Sequence, residues 1–259
     1  MNTPAVFIES RVKLFVFTVQ DFFRLCASAV RGIFRKPAYI RETLFQMDVI
    51  GVGSIPIILL TGLFTGMVLA LQTAVQLKIF GASIYVGKVV ALSMIKELGP
   101  VLSSLMVAGR AGSGIAAELG SMVDTEQIDA MKVEGSDPIR KLVIPRMFAC
   151  ILMLPILTVI SDGIGMAGGF FIAVTQINID PYFYWTSSFD SLEISDVVLG
   201  LVKPMFFGFI IAMVGSYQGL NTHGGTVGVG RSTTQSVVFS SITILVTDFF
   251  ITKLFVYLW

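Results

Sequence analysis

Five ionisable side chains interrupt otherwise apolar stretches of this 259-residue chain: Lys96, Glu97, Asp162, Lys203 and Asp248. A charge in hydrocarbon costs at least a few kcal/mol unless it is paired or hydrated, so each marks a partner or a pathway. Counting inward from the outer ends of their helices at ~1.5 Å per residue puts Glu97 roughly 15 Å deep, Lys203 roughly 9 Å, Asp248 roughly 14 Å and Asp162 roughly 18 Å. These similar depths predict a buried cluster in which Glu97 and Asp248 meet Lys203 or Lys96. A static pair that only fixes helix register is the alternative. A second pattern is Leu69, Gln72, Gln76 and Phe80, spaced along one helical face. Two amides on an apolar stripe suit a cavity for an amphipathic ligand, although interfacial glutamines can be merely solvated.

The elements that position these residues follow from composition. With 54% hydrophobic and 14% charged residues, the chain has more apolar side chains than one soluble core can bury. A bilayer core about 30 Å thick needs roughly 20 apolar residues per helix. Five such spans are expected, near 50–77, 87–109, 147–174, 197–217 and 235–257. The fold class is all-α integral membrane protein. Residues 7 to 35 place Lys13, Gln20, Arg24, Ser28, Arg31 and Arg35 on one helical face, with Phe15, Val19, Phe22, Phe23, Leu25 and Phe34 on the others. That pattern predicts an amphipathic helix in the membrane interface, ended by Lys36-Pro37. The chain divides into this region, 1–40, and a membrane domain, 41–259.

Orientation follows from the basic residues. Seven Lys or Arg precede the first span, five lie from Arg110 to Arg146, and Arg231 adds another, whereas the opposite segments hold only Lys78 and Lys88. The positive-inside rule puts the N-terminus in the cytoplasm and the C-terminus outside. No cleavable signal is expected, because the first 20 residues lack the basic, apolar and small-residue order. The outer loop at 176–195 concentrates Tyr182, Phe183, Tyr184, Trp185 and Phe189. It is expected to form a short interfacial helix, or else a docking surface. Between the second and third spans, Asp124 and Gln127 have capping-box spacing, Gly135 can take the left-handed C-terminal position, and Pro138 blocks continuation. A capped cytoplasmic helix of about three turns is expected, presenting Ile128, Met131 and Lys132. It offers another protein a place to push, unless it is a plain connection. Glycine pairs at Gly62/Gly66, Gly165/Gly169 and Gly215/Gly219 allow close helix approach, within the chain or to a second copy.

Several chemistries are excluded. Gly87-Lys88 lacks the spacing and following hydroxyl of a phosphate loop, and "GSGIAA" follows a membrane helix rather than a strand. His223 has no second metal ligand nearby, and Cys26 and Cys150 have neither the number nor the spacing of a disulfide framework. A net charge of +1 implies no nucleic-acid partner. No catalytic group is visible, so energy must come from an ion gradient, with Glu97 or Asp248 binding a proton or cation, or from another subunit.

The strings "KELGPVLSSLMVAGRAGSGIAAELGSM", "TEQIDAM", "DPIRKLVIPR" and "GGTVGVGRSTTQSVV" resemble the MlaE/YrbE permeases, membrane subunits of lipid-transporting ABC systems. The resemblance implies a homodimer in the bacterial inner membrane. Two ATPase subunits would carry ATP and Mg on the cytoplasmic side, and a ring of MCE-domain proteins would sit on the periplasmic side. Some members add a STAS-domain protein on the ATPase. The cargo implied is phospholipid, moved between the inner membrane and the MCE partner, toward or from the outer membrane. Carried onto this chain, the resemblance makes the segment with Asp124, Glu126, Gln127, Ile128, Met131 and Lys132 the coupling helix to the ATPase. It makes Leu69, Gln72, Gln76, Leu77, Phe80 and Leu98 a lipid pocket at the dimer interface, and Lys96, Glu97, Lys203 and Asp248 the intramembrane charges.

Overall fold

The computed structural model describes residues 4–33 and 39–258, and the described residues are helical with short connections. The order is α1 (Pro4–Ile33), α2 (Ile40–Ile79), α3 (Ser83–Asp124), α4 (Gln127–Val133), α5 (Ile139–Thr175), α6 (Pro181–Asp190), α7 (Ile194–Leu220) and α8 (Gly225–Leu258). Five of these, α2, α3, α5, α7 and α8, are long and apolar enough to cross a membrane. Each span exceeds its sequence estimate, because the helices continue past the apolar window into polar ends.

The spanning helices are not uniform cylinders. A 3-10 turn at Val52–Ser54 bends α2, and Arg110 of α3 braces the bend by donating from Nη1 to the Val49 carbonyl at 3.0 Å and to Ser54 Oγ at 3.1 Å. In α3, π turns occupy Met94–Leu98 and Ala108–Gly112, and a third opens α5 at Ile139–Val143. A π turn carries one extra residue, which rotates the side chains beyond it and is common at functional sites.

Glycine decides how α2 meets α5. A Cβ at Gly66 would lie 1.9 Å from the Gly165 carbonyl oxygen, and one at Gly62 would lie 2.9 Å from the Ser161 carbonyl oxygen. The first two glycine pairs therefore face each other within one chain, with backbones in near contact. The third pair packs against α3, where Gly215 lies over the Gly112 carbonyl and Gly219 over Ala116 and Leu119. The Gly/Ser/Ala tract of α3 thus serves α7.

Of the N-terminal polar face, Lys13, Gln20, Arg24, Ser28 and Arg31 are exposed, while Ala29 is buried. Arg35 and the Lys36-Pro37 stop lie outside the described residues. On the opposite side of the protein, Asp180 caps α6 by accepting from the Phe183 N–H at 3.0 Å. The loop aromatics do not all sit as free interfacial rings. Tyr184 is fully buried and its hydroxyl donates to the Met166 carbonyl at 3.0 Å, while Trp185 stacks on Phe170 and Phe189. Burying the ring and satisfying its hydroxyl locks α6 onto α5.

Candidate functional site

Lys203 of α7 is fully buried, an expensive position for an ammonium unless each N–H finds an acceptor. Three oxygens surround it: Glu97 Oε2, which accepts a hydrogen bond at 2.6 Å, Asp248 Oδ1, an ion-pair contact at 2.9 Å, and the Lys96 carbonyl oxygen, which accepts at 2.9 Å. The third exists because of sequence. Pro100 has no N–H, so the Lys96 carbonyl, four residues earlier, lacks its helical donor. Glu97 is held from its other side by Thr252 Oγ1, which donates to Oε1 at 3.1 Å. The network therefore ties α3, α7 and α8 together at one level.

Lys96 points elsewhere. Its Nζ lies 2.7 Å from Asp196 Oδ1, at the start of α7. Asp196 also closes a reciprocal cap with Glu193, accepting its backbone N–H at 3.3 Å. Of the expected cluster, the structure brings together Glu97, Asp248 and Lys203, joins Lys96 through its carbonyl, and leaves Asp162 apart. Sequence reasoning missed Asp196 and Thr252. Both had a signal: Asp196 is seven residues before Lys203 and Thr252 four after Asp248, so each shares a helical face with a known charge. Two further polar contacts were also missed: the Arg110 brace, and the pair between buried Arg146 Nη2 and Glu118 Oε1 at 2.8 Å.

Beside the network, Phe64, Thr65, Val68, Leu69 and Gln72 of α2 and Leu98 of α3 line an open groove of about 330 Å³. Leu69, Gln72 and Leu98 are thus gathered, whereas Gln76, Leu77 and Phe80 do not line it. Leu77 turns into the packing around Ala70 and Val86. Helix α2 ends at Ile79, so Phe80 sits at its C-cap, 80% exposed.

The connection after α3 also differs from expectation. Helix α3 runs through Asp124, and the reversal comes at Glu126, whose φ of 59° is left-handed. No Asp124 side chain caps α4, so the capping box is absent. Helix α4 spans 7 residues, about two turns instead of three. Ile128 faces inward and is buried, Met131 is half-buried, and Gln127, Asp129, Lys132 and Val133 are exposed. Lys132 Nζ pairs with Asp129 Oδ1 at 2.8 Å on that surface. Gly135 takes the left-handed position with φ of 77°, as expected. Among the described residues, no group of three or more His, Cys, Asp or Glu could hold a metal.

Comparison with known proteins places this geometry in a family. The family profile described as Permease MlaE matches residues 43–254. A probable ABC transporter permease of Rickettsia conorii is 43% identical over 248 residues, 96% of each chain. One from Synechocystis is 45% identical over 253 residues, 98% of this chain and 93% of the relative. The intermembrane phospholipid transport system permease protein MlaE of Haemophilus influenzae is 38% identical over 210 residues, 81% of this chain and 80% of the relative. A chain of five membrane-spanning helices that matches this profile over nearly all its spanning residues belongs to the MlaE permease family, and is the membrane subunit of an ABC transporter.

Proposed function

We propose that two copies of this chain form the lipid conduit of an ATP-driven phospholipid transporter. The observation that carries the reading is the state of α8. Only 11% of its most apolar window is buried, against 56% in α7, yet it bears Asp248 and Thr252 of the charge network. A helix so little covered by its own chain, with polar residues on its inner face, suits burial against a second copy. The groove at Leu69, Gln72 and Leu98 would then open toward the shared interface as a partly apolar, partly amide-lined lipid site.

In this reading a separate ATPase binds ATP and Mg and engages α4 from the cytoplasm, an MCE-domain protein receives or delivers phospholipid outside, and a STAS-domain protein joins the ATPase side. The chain sits in a bacterial inner membrane with its N-terminus inside and its C-terminus outside, which the distribution of Lys and Arg supports. The exposed Gln76 and Phe80 side chains would extend the pocket along the edge of α2, while Leu77 supports it from the packing behind. ATPase states that contact α4 differently supply the bias for moving lipid.

Light scattering and mass spectrometry of the detergent-purified protein test this. A dimer carrying phospholipid is expected, and a lipid-free monomer overturns the reading. A gradient-driven cycle at Glu97 or Asp248 is not favoured, since both carboxylates already pair with Lys203. Collapsing the proton gradient at constant ATP separates the two, because only that cycle loses transport.

A further inference from the structure

Asp162, near the middle of α5, is 9% exposed, and its Oδ1 has no hydrogen-bond partner. Its surroundings explain why. Oδ1 sits 1.7 Å from where a Cβ on Gly99 would be, so the carboxyl is wedged against the α3 backbone. That backbone has nothing to offer: the Gly99 N–H is committed to the Met94 carbonyl, and Pro100 has none. Every other carboxyl of the spans' interior named above has a cation within 3 Å. An ionisable side chain left this way in a membrane protein calls for a partner from outside the chain.

A cavity of about 370 Å³ adjoins it, between α3, α5, α6 and α7. Ile95, Val159, Met166, Val197 and Leu201 supply apolar walls, and Trp185 of α6 lies at one end. Val159, Val197 and Leu201 are also exposed on the outer surface of the bundle, so the cavity opens sideways. Asp162 is the one ionisable group lining it, and no hydroxyl or basic side chain accompanies it. A phosphate would therefore meet a carboxyl with no basic side chain to offset its charge, while an ammonium would find a carboxyl to pair with.

We propose that this lateral pocket binds a single-chain cationic amphiphile, its ammonium on the Asp162 carboxyl and its alkyl chain along α5 and α7. The site is separate from the groove at Leu69 and Leu98, and does not rest on the transport reading. It adjoins the charge network mechanically: Gly200 of the pocket wall lies against the Ile95 carbonyl, where a Cβ would come within 2.6 Å. An occupant that parts α7 from α3 there would strain the contacts of Lys96 and Lys203.

Trp185 makes the site measurable, since the chain's other tryptophan is Trp259. Full-length protein carrying Trp259→Phe, reconstituted in phosphatidylcholine vesicles, is titrated with a brominated octadecylamine while Trp185 fluorescence is followed. Saturable quenching is expected, weakened about tenfold by Asp162→Asn through loss of the charge-assisted contact. Gly163→Leu provides a second variant, because Gly163 lines the cavity and a Cβ there meets nothing within 4 Å. It should abolish saturation with Asp162 intact, and it alone decides if Asp162→Asn does not fold. Quenching that never saturates, or that neither variant changes, overturns the proposal as plain partitioning. Equal binding of brominated octadecanol, or of a brominated phosphatidylethanolamine, overturns the assignment of a phosphate-free ammonium.

Discussion

The ammonium of Lys203 lies 2.9 Å from the carbonyl oxygen of Lys96, the helical acceptor that Pro100 cannot serve. One cation thus repairs a backbone defect in α3 while neutralising carboxylates from α3 and α8. Lys203→Met leaves Glu97 and Asp248 facing each other without a cation, at a cost of about 3–5 kcal/mol. The thermal midpoint in detergent should fall sharply. Adding Glu97→Gln and Asp248→Asn to the same chain should recover most of it, because no uncompensated charge then remains. Failure of the triple variant to recover would mean that the Lys96 carbonyl is the dominant partner.

The contact of Gly66 with Gly165 predicts an asymmetry between glycines. Gly66→Ala sets a methyl group 1.9 Å from a backbone oxygen, so α2 and α5 must separate. A loss of several kcal/mol is expected, read as a lower yield of monodisperse protein. Gly163→Ala, in the same helix pair but facing open space, should be neutral or stabilising by about 0.5–1 kcal/mol.

On α4, burial separates folding from docking. Ile128→Asp places a charge in packed surroundings and should reduce the thermal midpoint. Val133 is 89% exposed, so Val133→Asp should leave that midpoint unchanged. The proposed docking of an ATPase on α4 predicts that co-purification of that subunit drops instead.

Cys26 on α1 has its thiol pushed up to about 11 by burial. The thiolate is the reactive form, so a raised value means a smaller reactive fraction at neutral pH. Maleimide labelling of the folded protein should be slow near neutrality and accelerate as pH rises above the ordinary thiol value toward 11. Cys150 is buried in α5 and should remain unlabelled throughout.

What could be read from sequence was what water-to-lipid transfer makes costly. Glu97, Lys203 and Asp248 stood out because charges in apolar windows must find one another, and the structure joins them. The spans were legible for the same reason. The destination of Lys96 was not, since Asp196 sits at a helix start, where acidic residues are ordinary and carry no anomaly. Nor was the true start of α4. A left-handed turn normally announces itself through Gly or Asn, and here Glu126 adopts it. Glycine spacing predicted close packing but could not name the neighbour, because α2 against α5 depends on register that only the assembled fold fixes.

Lys96, Glu97 and Leu98 are consecutive, yet they reach the cap of α7, the Lys203 network and the open groove respectively. Because Met94–Leu98 is a π turn, the outer and inner halves of α3 keep separate angular registers. A one-residue deletion within those five residues would convert the turn to ordinary helix and leave too few positions for the side chains that now diverge there. The helix can therefore exchange side chains at many places, but its length through this segment is fixed by three destinations at once.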